Sequence, residues 1–96
     1  MGLKDRYDFD MLVNEAEGLV LAELEAQVAS TPGLCTCQDC VLDMAAFALN
    51  KVHPSYRASL MGSVYAKAGF SPGYLREISQ AVREAVEKVR ANPSHD

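Results

Sequence analysis

Ninety-six residues allow one domain and no second core, and a composition of 49% hydrophobic and 23% charged residues is that of a folded chain, not a disordered one. A net charge of −4 and a pI near 5.0, with nine Lys and Arg residues spread from Lys4 to Arg90, exclude a protein that coats a nucleic-acid polymer through phosphate contacts. The opening MGLKDRYDFD is charged where a signal peptide would be apolar, Arg6 stands where myristoylation needs Ser or Thr, and no apolar run approaches membrane-spanning length. The expected setting is therefore a reducing cytoplasm, with no membrane partner. There, an odd number of closely spaced cysteines makes a poor disulfide framework.

In chain order the sequence reads as four helices and no strand, an all-α domain spanning residues 1–96. Asp8 or Asp10 can cap the first helix, whose apolar positions Leu12, Ala16, Leu19, Val20, Leu24 and Val28 recur at helical spacing. Ser30, Thr31, Pro32 and Gly33 end it in a short loop. A second helix is expected from about Gln38 to Lys51, and its run from Val41 to Leu49 leaves almost no polar face, the mark of a centrally buried helix. Pro54 ends it by pushing residue 53 out of the helical region.

A third helix is expected over Ser55 to Ala68, with Leu60, Met61, Val64 and Tyr65 inward. The fourth carries the clearest period, Leu75, Ile78, Val82, Ala85, Val86 and Val89, with Ser71 as cap, Pro72 as first helical residue, and Asn92 and Pro93 as stop. Tyr65 and Tyr74 read as core residues with a wet hydroxyl. Arg76, Arg83, Lys88 and Arg90 read as the solvated face of the last helix, where Glu84 and Lys88 form an i,i+4 pair worth a few tenths of a kcal/mol. A helix apolar all round in so small a domain calls for further cover, and a symmetric homodimer would supply it.

Residues 35 to 40 read CTCQDC and hold every cysteine of the chain. Zinc takes four tetrahedral ligands from thiolates and imidazoles, and Cys35, Cys37 and Cys40 are close enough to wrap one ion at a helix N-terminus, which favours thiolate over thiol. Cys37 and Cys40 are one helical turn apart, and Cys35 comes from the loop. The fourth ligand is open among His95, His53, and the carboxylates Asp39 and Asp43. Catalytic zinc is disfavoured, because neither H-E-x-x-H nor H-x-E occurs, and the expectation is a protein that is not an enzyme. Packed or redox-active thiols are the competing reading.

The stretch CTCQDCVLDMAAFALNKVHPSY, with NPSH near the end, resembles the late competence development protein ComFB family. The matching positions are Cys35, Thr36, Cys37, Cys40, Asp43, Ala48, Leu49, Asn50, Pro54 and Tyr56, then Asn92, Pro93 and His95. The resemblance implies a small all-helical homodimer with zinc held by the cysteines and a regulatory, non-catalytic role. Some relatives supply a fourth cysteine from the C-terminal region; this sequence has none, and His95 is the residue that can replace it. The resemblance also implies a receptor for a cyclic nucleotide second messenger, chiefly cyclic di-GMP, with outputs in competence, pili and motility.

The segment LNKVHPSYRAS carries chemistry that suits such a ligand. Lys51 can meet a phosphate, Tyr56 can stack on a base, Arg57 can address guanine O6 and N7, the rigid Pro54 holds the turn, and Asn50 is a further candidate ligand-binding residue. The plain alternative is that Tyr56 caps the core, Asn50 satisfies the helix end and Lys51 is solvated. A zinc-stapled adaptor for a protein partner, with no small ligand, is the second function to weigh. A thiol redox enzyme is the third, disfavoured because C-x-C-x₂-C lacks a βαβ context.

Overall fold

A computed structural model of the chain describes residues 2–58 and 71–93. Its elements in order are α1 (Leu3–Arg6), a 3₁₀ turn (Phe9–Met11), β1 (Val13–Asn14), α2 (Glu15–Ala29), α3 (Gln38–Lys51), β2 (Tyr56–Arg57) and α4 (Pro72–Ala91). The fold is mostly helical. Three long helices share one core, built from Ala16, Val20 and Leu24 of α2, Met44 and Ala48 of α3, and Val82, Ala85 and Val86 of α4 among others. Apolar residues at i, i+3, i+4 and i+7 place these side chains on the facing stripes, and their burial drives the packing.

The two-residue strands correct the strand-free expectation. β1 and β2 pair antiparallel, Val13 opposite Arg57 and Asn14 opposite Tyr56. Tyr56 and Arg57, expected near the start of a third helix, instead form a strand, Ser55 lies outside any helix, and the Glu15 N–H donates to Ser55 O at 2.7 Å beside the ladder. Tyr and Val suit a pleated, half-buried surface, and pairing with a nearby strand edge satisfies the backbone of Tyr56 and Arg57. Residues 59–70 of that expected helix, including Leu60, Met61, Val64 and Tyr65, lie outside the described residues.

Neither Asp8 nor Asp10 caps the long first helix. Asp8 accepts from the Asp10 N–H at 2.9 Å and caps the 3₁₀ turn. Asn14 caps α2: its Oδ1 accepts from the Ala16 N–H at 3.2 Å and also from the Ser55 N–H at 2.7 Å. One amide oxygen thus satisfies a helix end and pins the β2 approach. Leu12 falls before the helix and is exposed. At the other end Thr31 Oγ1 donates to Gln27 O at 2.7 Å, and Gly33 takes φ +80°, the left-handed conformation that a side chain would resist.

α3 has the expected bounds but not the expected all-round burial. Cys40, Met44, Ala45 and Ala48 are buried, while Gln38, Asp39, Leu42, Asp43, Ala46 and Asn50 are exposed, Leu42 at 56%. Only one side meets α2 and α4. α4 begins as expected, with Ser71 Oγ accepting from the Tyr74 N–H at 3.1 Å and Pro72 in the first turn. Its stripe from Ile78 to Val89 is buried, although Leu75 is not.

α3 and α4 run antiparallel in a regular register. Lys51 Nζ lies 3.7 Å from Glu84 Oε2, Lys88 Nζ lies 5.1 Å from the Phe47 ring centroid, and Asp43 and Asn92 line one small cavity. Each pairing steps four residues back along α3 and four forward along α4. Glu84 therefore reaches across to Lys51, and Lys88 covers Phe47, in place of the i,i+4 pair expected between them.

Candidate functional site

The loop after α2 turns at Gly33, buries part of Leu34 against the core, and delivers Cys35 to the start of α3. Cys37 is the N-cap of α3, and its Sγ accepts from the Cys40 N–H at 3.5 Å. Cys40 is wholly buried, Cys35 partly buried and Cys37 exposed. The three sulfurs lie within 4.8 Å of one another. Tetrahedral coordination with metal–sulfur bonds near 2.3 Å would place them about 3.8 Å apart, within reach of small side-chain rotations. The donor set fits a soft or borderline cation, and the cluster can hold a metal ion.

Among the described residues this group consists of the three cysteines alone. Asp39 and Asp43 share the helix without joining it. His53 is at the far end of α3, a 14-residue helix about 21 Å long, and is engaged there. Its backbone N–H donates to Glu77 Oε2 at 2.8 Å and its ring Nδ1 lies 2.9 Å from the same oxygen. His95 lies outside the described residues.

Around His53 a compact polar knot ties the turn after α3 to the start of α4. The Tyr74 hydroxyl donates to His53 O at 2.6 Å. The His53 backbone N–H, then its ring, hold the Glu77 carboxyl below its ordinary value. Partial burial, then the neighbouring Glu77 charge, raise the Tyr74 phenol.

Of the five residues proposed for ligand binding, three share one groove. Asn50, Pro54 and Tyr56 line a space of about 940 Å³ between the first half of α2 and the end of α3. Leu12, Leu21 and Leu49 supply apolar walls, Glu15 and Glu17 supply carboxylates, and the Tyr56 residue is 63% exposed. Lys51 is on the α4 side, between Glu84 and the Phe47 ring, and does not line the groove. Arg57 does not line it either; its Nε sits 2.5 Å from Glu15 Oε1 in a half-buried ion pair. The two expected cations are thus both drawn to carboxylates of the same chain.

Sequence reasoning missed Asn14, Glu15 and Glu77, and read Tyr74 as a core residue with a wet hydroxyl where that hydroxyl donates to His53 O. A signal existed for the first two: Asn14 precedes the apolar stripe and Glu17 follows three residues later, the spacing of a helix start. Glu77 had none, because its partner is 24 residues away and the contact depends on how two helices meet.

The description late competence development protein ComFB belongs to a family model that matches residues 13–93. The competence protein ComFB of Bacillus subtilis (strain 168) is 40% identical over 58 residues, which cover 60% of this chain and 59% of that protein. The match thus spans under two thirds of that relative's own length. The solved structure of the late competence protein ComFB from Bacillus subtilis superposes with a TM-score of 0.70 at 31% identity, covering 86% of this chain and 92% of that one.

Proposed function

The chain belongs to the late competence protein ComFB family, and from that premise we propose that it is a non-catalytic regulatory protein of the cytoplasm, stapled by zinc, that works as a dimeric receptor for cyclic di-GMP in competence, pilus or motility control. The observation that carries the ligand reading is Tyr56. Its exposed ring lines a groove large enough for a dinucleotide, beside Pro54 and Asn50, and aromatic faces stack on bases at about 1–3 kcal/mol each.

Cys35, Cys37 and Cys40 would hold the zinc, and His95 is the proposed fourth ligand. The α3–α4 register supports it. Pro93, at the exit of α4, lines one cavity with Asp43, which stands one helical turn from Cys40. Two residues of chain beyond Pro93 span up to about 7 Å. When bound, zinc would supply structural cross-linking between loop and helix. The exposed Leu42 on α3 is an apolar contact that a second copy would cover.

A second reading is favoured by the charge of the groove. Leucine walls with the exposed Glu17, Glu15 being paired with Arg57, and no Lys or Arg among the lining residues described, suit an apolar, basic segment of a protein partner better than two phosphates. In the receptor reading the second chain has to add the missing cations. Calorimetric titration of the zinc-loaded protein with cyclic di-GMP, and with linear and mononucleotide controls, separates the two. Saturable binding that Tyr56→Ala weakens supports the receptor; no heat at tens of micromolar, from folded protein, leaves the adaptor.

A further inference from the structure

We propose that Cys37 and Cys40 form a hydroperoxide-sensitive dithiol, a modification site whose oxidation to an intramolecular disulfide dismantles the metal cluster. The asymmetry of the two thiols carries this. Cys37 is exposed at the N-cap of α3, where an oxidant can reach it, whereas Cys40, three residues on, is at 0% exposure in the core. The Cys37 sulfur already lies over the first helical turn, accepting from the Cys40 N–H, and the two sulfurs are within 4.8 Å.

Backbone spacing suits this pair. Helix geometry sets Cα atoms three residues apart at about 5 Å, inside the range that disulfides span. Cys35 lies in the loop before α3 and is partly buried, so no helical turn brings it over either partner. An exposed attacking thiol with a resolving thiol beside it is the arrangement that favours reversible oxidation over a terminal sulfinic acid.

The chemistry balances with hydrogen peroxide as oxidant. The Cys37 sulfur attacks one peroxide oxygen; an S–O bond forms, the O–O bond breaks, and the departing hydroxide takes the Cys37 proton and leaves as water. The Cys40 sulfur then attacks the Cys37 sulfur; the S–S bond forms, the S–O bond breaks, and the departing hydroxide takes the Cys40 proton as a second water. Two thiols lose two electrons and the peroxide gains them. A cation held by the cluster would lose two of its three thiolate ligands.

The test is hydrogen peroxide treatment of the zinc-loaded full chain, read by intact mass, disulfide mapping and a colorimetric zinc indicator. The expected product has lost two hydrogens, maps to Cys37–Cys40, releases one zinc per chain, and returns to the dithiol with a thiol reductant. Cys35→Ser should still form the disulfide when metal-free. Cys37→Ser, a change at an exposed position, should abolish it; Cys40→Ser, if folded, should stop at a sulfenic acid that dimedone traps at Cys37. A disulfide mapping to Cys35, a disulfide between chains, or thiols that survive peroxide would overturn the proposal.

Discussion

His53 and Glu77 grip each other twice: one carboxylate oxygen accepts from the His53 backbone N–H at 2.8 Å and lies 2.9 Å from the His53 ring nitrogen. The pair fastens the exit of α3 to the second turn of α4, next to the Tyr74 hydroxyl on His53 O. Because these bonds lower the Glu77 pKa in the folded state, the carboxylate contributes stability that is fully present above its unfolded value of about 4.3. That contribution is lost as pH falls through the lowered folded value. Glu77→Gln should therefore lower the unfolding free energy near neutral pH by no more than about 1 kcal/mol at so accessible a site, seen as a lower melting temperature, and the gap should close in acid. Thermal melts of both proteins across an acid-to-neutral series check it; a gap constant with pH would assign the effect to shape and not charge.

Asn14 serves two elements with one oxygen, so its loss should exceed that of an ordinary cap. Asn14→Ala is expected to cost about 1–3 kcal/mol in chemical denaturation, since it leaves the N-terminus of α2 and the Ser55 N–H both without their acceptor. Asn14→Asp, which keeps the oxygen, should recover most of it. A cost of a few tenths would mean that solvent replaces both bonds.

The two faces of α3 should respond oppositely to truncation. Met44 is fully buried, and Met44→Ala should cost about 2–5 kcal/mol. Leu42 is exposed in the single chain, where Leu42→Ala should change stability by less than about 0.5 kcal/mol. If a second copy covers this face, light scattering of the parent protein should give about 21 kDa, twice the 10.4 kDa chain, and Leu42→Ala should shift that mass toward one chain at low concentration. A parent protein of one-chain mass would remove the dimer from the account.

The fourth metal ligand separates cleanly by substitution. His53 is committed to Glu77 about 21 Å of helix away from the cysteines, so His53→Ala should leave zinc affinity unchanged, while His95→Ala should weaken it at least tenfold. Competition with a fluorescent zinc indicator measures both. Equal, negligible effects would point to a carboxylate or solvent in the fourth position.

Much of this architecture was legible in the residues. The bounds of α3, the cap at Ser71, Pro72 in the first turn and the buried stripe from Ile78 to Val89 follow from local rules, because capping and 3.6-residue periodicity act within a few residues. The proximity of Cys35, Cys37 and Cys40 was legible for the same reason. What escaped was set by distant pairing. Tyr56–Arg57 is a strand because it pairs with Val13–Asn14, a contact with no local signature; Asn14 had a local signal in Glu17, but the Ser55 N–H that it also holds is 41 residues away. Lys51 and Arg57 looked available for a phosphate, and only the packing of α4 and α2 brings Glu84 and Glu15 to them.

A structural zinc ion in the cysteine cluster is the proposal on which the rest depends, and elemental analysis paired with thermal melting of untagged protein checks it. The account predicts one zinc per chain and a clear fall in melting temperature when a chelator removes it, because metal binding here is partly folding energy. Protein that contains no zinc, and melts at the same temperature with and without chelator, would contradict it.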